Sequence, residues 1–142
     1  MGRVVTRIKL TNNTDHDLAA MGQITADRIR TLEIEALVDT GATMLVLPAD
    51  LVARLGIPPS GTRKIRYADG RVRDVPWIGG LRIEILGREM TCDALVENPG
   101  TTPLIGQIPL EGLDLVVDPK SRDLSVNPLS PDAPLMDAMS AA

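Results

Sequence analysis

Asp69-Gly70 is the strongest turn signal in the chain, because both residues tolerate the positive φ that a tight hairpin demands. Strand-like runs flank it, Arg63 to Tyr67 and Arg71 to Val75, so this part of the chain is predicted to double back as an antiparallel ribbon. The pattern repeats around Gly87, where Leu81 to Leu86 and Met90 to Val96 predict a second hairpin. Arg3 to Leu10 alternates polar and apolar residues, the period of a half-exposed strand. Ile29 to Val38 alternates through Leu32, Ile34 and Ala36 and then turns uniformly apolar, as a strand does on entering a core. Met44 to Leu47, Pro103 to Gly106, Leu115 to Val117 and Leu124 to Val126 complete the short apolar runs. Helix is confined to brief pieces. One lies in the polar excursion Thr11 to Ala26, with Asp15 or Asp17 as its cap; one begins at Pro48 and stops at Gly56; a turn or two surrounds Leu110 to Leu113. Many short strands with turn punctuation predict an all-β barrel or sandwich with one or two short helices.

Composition narrows the chemistry. A chain of 142 residues buries roughly 68–70% of its unfolded surface, enough for one core. Residues 1–127 read as that single domain, and 128–142 as a Pro-rich flexible tail, where Pro128, Pro131 and Pro134 stand among Ser, Asp and Ala. His16 is the one imidazole and Cys92 the one thiol, so one chain can build neither a zinc cluster nor a disulfide framework. His16 is expected in a solvent-facing polar loop, and Cys92 as an inert strand residue. A net charge of -4, with Tyr67 and Trp77 the only aromatic rings, argues against a general nucleic-acid binder. No run reaches the roughly 18 apolar residues of a membrane-spanning helix, and Met1 to Leu10 lacks a secretory pattern. With a lone thiol suited to a reducing compartment, the expectation is a cytoplasmic protein without a membrane partner.

One segment breaks the local rules. In Leu37-Val38-Asp39-Thr40-Gly41-Ala42, a carboxylate and a hydroxyl interrupt two very apolar runs. Such a carboxylate is costly to bury unless it is paired or hydrogen-bonded. With a strand on each side, the segment becomes a rigid loop at the core's edge, where Gly41 lets backbone N–H groups approach the Asp39 carboxylate. The bland alternative is an Asx-type turn between two strands.

The sequence here resembles the retroviral-type (retropepsin-like) aspartic proteases. The resemblance rests on Ala36-Leu37-Val38-Asp39-Thr40-Gly41-Ala42, on the later Asp69-Gly70 hairpin and on Leu104-Ile105-Gly106, and it covers roughly Arg3 to Asn127. It implies a closed barrel in which Asp39 is the catalytic acid, the Asp69-Gly70 hairpin a flap over the cleft, and Leu104-Ile105-Gly106 part of the loop bracing the catalytic turn. Ala42 resembles the retroviral branch more than the two-lobed pepsin branch. The flap departs from the family pattern, carrying Tyr67-Ala68-Asp69-Gly70 in place of a glycine-rich tip.

Chemistry of this type needs two carboxylates sharing one proton, since like charges about 3 Å apart do not both ionise. The chain offers one suitable residue. Asp118 follows Val116-Val117, but Pro119 comes next and the Thr and Gly of the turn are missing. A homodimer would supply the second Asp39, one carboxylate serving as base toward water and the other as acid toward the scissile carbonyl. The resemblance implies that Thr40 locks the two turns together and that Gly41 leaves room for substrate backbone. The expected catalytic residues are therefore Asp39, Thr40 and Gly41, and the reaction needs no metal or cofactor. Ala42, the flap residues Ile65, Tyr67 and Val72, and the tip Ala68, Asp69 and Gly70 are the expected contacts to a peptide or protein substrate. Ile65, Tyr67 and Val72 are placed on one face looking into the cleft, with simple packing as the alternative. The cations Arg63, Lys64, Arg66, Arg71 and Arg73 read as a solvated opposite face, and Trp77 as a cover at the flap base. Against the protease stands a non-catalytic module that clamps an extended peptide by strand addition.

Overall fold

The computed structural model describes residues 3–138. Positions 1–2 and 139–142, at the ends of the expected domain and tail, lie outside the described residues. The fold is mostly β with a few short helices. Strand β1 (Val5–Asn12) alternates as expected, burying Ile8 and Leu10 while Arg7 and Lys9 stay exposed. It runs two residues past Leu10, and this moves the start of α1 (Asn13–Ala20). The helix cap is Asn12, not Asp15 or Asp17: its side-chain oxygen accepts from the Asp15 N–H at 3.0 Å while its Nδ2 donates to the Leu55 carbonyl at 2.9 Å. His16 accordingly lies on this helix rather than in a loop, half-exposed beside Asp17. Asp15 is freed for a buried role, taking Arg30 Nε at 2.8 Å, Nη2 at 3.0 Å and the Arg30 backbone N–H at 3.0 Å. That guanidinium holds the Asp15 carboxyl below its ordinary value.

After a single 3₁₀ turn (Ala26–Arg28), β2 (Thr31–Val38) pairs antiparallel with β1, Ile8 opposite Ile34. Strand β3 (Leu45–Pro48) is buried throughout, and α2 (Ala49–Leu55) follows with Val52 and Leu55 inward. Pro48 is the residue capping this helix, and Gly56 ends it in the left-handed region at φ 69°.

Strand β4 (Gly61–Arg66) forms the expected ribbon with β5 (Val72–Ile85), which pairs in turn with β6 (Arg88–Glu97). The two expected hairpins share one 14-residue strand. Gly79-Gly80 falls at a register shift between Ile78 and Leu81, with Gly80 at φ 68°, so the strand bends without ending. Strand β7 (Leu104–Ile105), α3 (Gln107–Gly112), β8 (Leu115–Asp118) and β9 (Asp123–Val126) complete the order.

Seven strands form one sheet in the order β1-β2-β7-β3-β6-β5-β4, with an additional pairing of β1 to β5. Strands β8 and β9 form a separate two-stranded sheet, with Leu124 and Val126 packed on the main core. The core is aliphatic: Leu10, Leu45, Leu47, Ile78, Leu81, Ile83 and Ile105 are all excluded from solvent. Among the described residues no helix is long and apolar enough to cross a membrane.

The Pro-rich segment 128–138 carries no helix or strand, but it is tied down rather than loose. The Ser130 hydroxyl and the Leu135 N–H both donate to Asp114 Oδ2, while the buried Arg88 donates to the carbonyls of Leu113, Asp114 and Ser130. A guanidinium withdrawn from solvent takes carbonyl acceptors, and this tail supplies one of them.

Candidate active site

The Asp39 turn joins β2 to β3, and β7 is wedged between these strands. Leu37 and Val38 pair in parallel with Leu104 and Ile105, and Val46 pairs antiparallel with Leu104. The backbone of the turn is therefore held from below. Asp39 N–H donates to the Ile105 carbonyl at 3.0 Å, Gln107 N–H to Ala42 at 2.9 Å and Ile108 N–H to Thr43 at 2.9 Å. Gly106 is required here because a Cβ would lie 2.5 Å from the Met44 carbonyl oxygen and 2.7 Å from that of Ala42. Its φ of -92° suits any residue, so the constraint is space.

Within the turn, Gly41 N–H donates to Asp39 Oδ1 at 2.9 Å and Ala42 N–H to the Asp39 carbonyl at 3.1 Å. The Asx-type turn allowed by the sequence is present, and it points the carboxylate at a backbone donor. Asp39 and Ala42 are partly buried while Thr40 and Gly41 are exposed, so a rigid base carries a reachable acid. The residue missed in the sequence is Gln107. Its Nε2 donates to the Thr40 carbonyl at 2.9 Å, a contact between positions 67 apart that no local pattern announces.

An open cleft of about 640 Å³ borders this turn, lined by Leu37, Val38, Asp39 and Thr40 on one side and Val117, Asp118 and Arg122 on the other. Asp118 thus shares the cleft with Asp39. Its Oδ1 accepts the N–H groups of Lys120 at 2.8 Å and Ser121 at 3.4 Å, which lower its pKa and make it the cap of the β8–β9 turn.

The β4–β5 ribbon corrects the sequence reading in two respects. Its loop is not centred on Asp69-Gly70: Gly70 N–H donates to the Tyr67 carbonyl at 2.9 Å, and of the two only Gly70 has positive φ, at 86°. Ala68 and Asp69 form the turn and Gly70 the left-handed residue after it, the three-residue variety of hairpin loop. The change of one residue sets the register, pairing Arg66 with Val72 and Ile65 with Arg73. Val72 therefore lies on the face opposite Ile65 and is 52% exposed. Ile65 and Tyr67 pack with Met44 and Leu104, which flank the Asp39 turn, around buried Val46, Val75 and Leu95.

The cations also redistribute. Arg63 lies 4.9 Å over the Trp77 ring, and Arg71 and Arg73 lie 5.5 Å and 5.8 Å from the Tyr67 ring, so they share the packed face. Lys64, paired with Asp74, and Arg66 keep the solvated side. The Tyr67 hydroxyl donates to Glu97 Oε2 at 2.7 Å, which raises the phenol pKa. Ala68, Asp69 and Gly70 are exposed at the tip, and among the described residues no side-chain hydrogen bond joins them to residues 39–42.

The model of the family described as "gag-polyprotein putative aspartyl protease" matches residues 25–112, a span holding the Asp39 turn, the ribbon and the Gly106 brace. The chain belongs to this family. A search of curated proteins returned no match. The match to the gag-type protease family ends with α3, so the β8–β9 hairpin and Asp118 lie beyond it. Within the gag-type protease domain, Cys92 is a half-buried β6 residue whose thiol is pushed up to about 12 by burial. Among the described residues no three His, Cys, Asp or Glu side chains are grouped as metal ligands.

Proposed function

We propose that the chain is an aspartic endopeptidase that acts as a homodimer, with Asp39 of each protomer forming the pair that activates water. The observation carrying this reading is the Asp39 turn itself: an accessible carboxylate on a backbone held by Ile105, Gly106 and Gln107, within a chain of the protease family. One carboxylate, ionised, takes a proton from water as it attacks the scissile carbonyl. The other, protonated, hydrogen-bonds the carbonyl oxygen as charge develops there. Each protomer contributes one such acid, which is the reason for invoking a second copy. Gly41 and Ala42 would line the substrate backbone, and Ile65 and Tyr67 would bring the flap over it. The ladder that runs from β1 through β2, β7, β3, β6 and β5 and meets β1 again supports the closed-barrel form.

The test is cleavage of a mixed peptide pool, followed by mass spectrometry, with wild type and Asp39→Asn. Cleavage by the wild type alone is expected, and equal cleavage by both removes the proposal. Specific activity should fall on dilution as dimers dissociate, and adding excess Asp39→Asn protein should suppress it by forming mixed dimers. A profile against pH should be bell-shaped, its two apparent pKa values belonging to the pair.

A further inference from the structure

The ribbon outruns its support. Strand β5 pairs with β6 only from Trp77 onward, Trp77 lying opposite Leu95, whereas its first residues, Val72 to Pro76, pair with β4 alone. Two residues beyond Leu95, at Glu97, β6 ends. Past this point the flap has only two strands, a form that is marginal by itself in water. Its hold on the rest of the fold is through one face, where Val75, Ile65 and Tyr67 pack with Val46 and Leu95. Glu97 is placed where the support stops, and its side chain is only 15% exposed. Both of its carboxylate oxygens turn to the ribbon: Oε2 accepts the Tyr67 hydroxyl at 2.7 Å and Oε1 lies 3.6 Å from Arg73 Nη1. Tyr67 directly follows the last residue of β4 and Arg73 is the second residue of β5, so one carboxylate holds both arms of the ribbon. The Arg73 guanidinium also lies against the Tyr67 ring, closing a three-membered set.

Resting on the proposed hydrolytic function, we infer that Glu97 is the positioning residue of the flap. It sets the height of the Ala68–Gly70 tip above the Asp39 turn without touching substrate. Tyr67 packs against the small cluster of Val46, Val75 and Leu95, on which Met44 and Leu104, the neighbours of the turn, also pack. Glu97 accepts the hydroxyl on one oxygen and faces a cation on the other, which a glutamine would do by half.

Amide hydrogen exchange of the intact protein, read by mass spectrometry over 66–76, tests this in wild type, Glu97→Ala, Glu97→Gln and Tyr67→Phe. Exchange in the ribbon is expected to quicken severalfold in Glu97→Ala and Tyr67→Phe, with Glu97→Gln between them and wild type, while residues 45–48 keep their protection. On a peptide cleaved by the wild type, Glu97→Ala should raise KM several times more than it lowers kcat, and Glu97→Gln should restore part of the loss. Unchanged ribbon exchange in both Glu97→Ala and Tyr67→Phe overturns the inference. Faster exchange with KM unmoved also overturns it, because Glu97 would then be structural only. A wild type that cleaves nothing removes the proposed hydrolysis instead, and the exchange experiment by itself then decides whether Glu97 fixes the ribbon.

Discussion

Gln107 reaches back to the Asp39 turn, its Nε2 donating to the Thr40 carbonyl at 2.9 Å while its own N–H donates to Ala42 at 2.9 Å. The first residue of α3 therefore pins the middle and the end of the turn at once. Replacing it with Ala removes the side-chain bond but leaves the backbone one, so the fold should survive while the turn loosens. Gln107→Ala is expected to lose roughly tenfold in kcat, the effect of about 1.4 kcal/mol, with KM little changed. Gln107→Glu should not recover the loss, because a carboxylate cannot donate to a carbonyl. Steady-state kinetics on one peptide decide it; full activity in Gln107→Ala would show that the side chain braces nothing.

Gly106→Ala tests space rather than conformation. The new methyl would meet the backbone oxygens of Met44 and Ala42, which cannot swing aside as a side chain can. A loss of about 1–3 kcal/mol is expected, the usual range for overpacking. Urea unfolding measures it, and an unchanged midpoint would contradict the close approach.

Acid should unfasten the tail. Asp114 is depressed from 3.8 to about 2, first by the Ser130 hydroxyl, then by Asn127 and the Leu135 N–H. A carboxyl with a lowered folded-state pKa adds stability that is complete above the unfolded value and is lost as pH falls through the folded one. The Tm advantage of wild type over Asp114→Asn is therefore expected to be constant above about pH 5 and to shrink between pH 4 and 2. An advantage that does not change with pH would mean that the clasp does not depend on the charge.

Cys92 should be inert in the folded protein. With its thiol pushed up to about 12, roughly one molecule in ten thousand carries the thiolate at pH 8. Iodoacetamide is expected to label it far more slowly in buffer than in urea, which mass spectrometry can follow. Equal rates would place the thiol in solvent.

Legibility of the fold followed the range of each signal. Gly56 and the alternation of β1 state local dihedral angles and periodicity, and both were readable. The ribbon was readable as a hairpin, but its register depended on whether the loop held two residues or three; that one-residue difference moved Val72 to the other face. Asp15 looked like a cap because its type favours one, yet Arg30 claimed it across the fold. Asp39-Thr40-Gly41-Ala42 stood out because a carboxylate between two apolar runs needs a hydrogen-bonding partner, and the Gly41 N–H supplies it within the turn.

By itself the sequence determined the strand-rich class, the helix stop at Gly56 and the carboxylate set between two apolar runs at position 39, since each follows from backbone freedom, periodicity or the residue types nearby. Only the tertiary structure decided that Gln107 holds Thr40, that Glu97 meets Tyr67 and that Asp114 ties down Ser130. Those bonds join residues far apart along the chain, and their partners become neighbours only once the sheet has set its order and register.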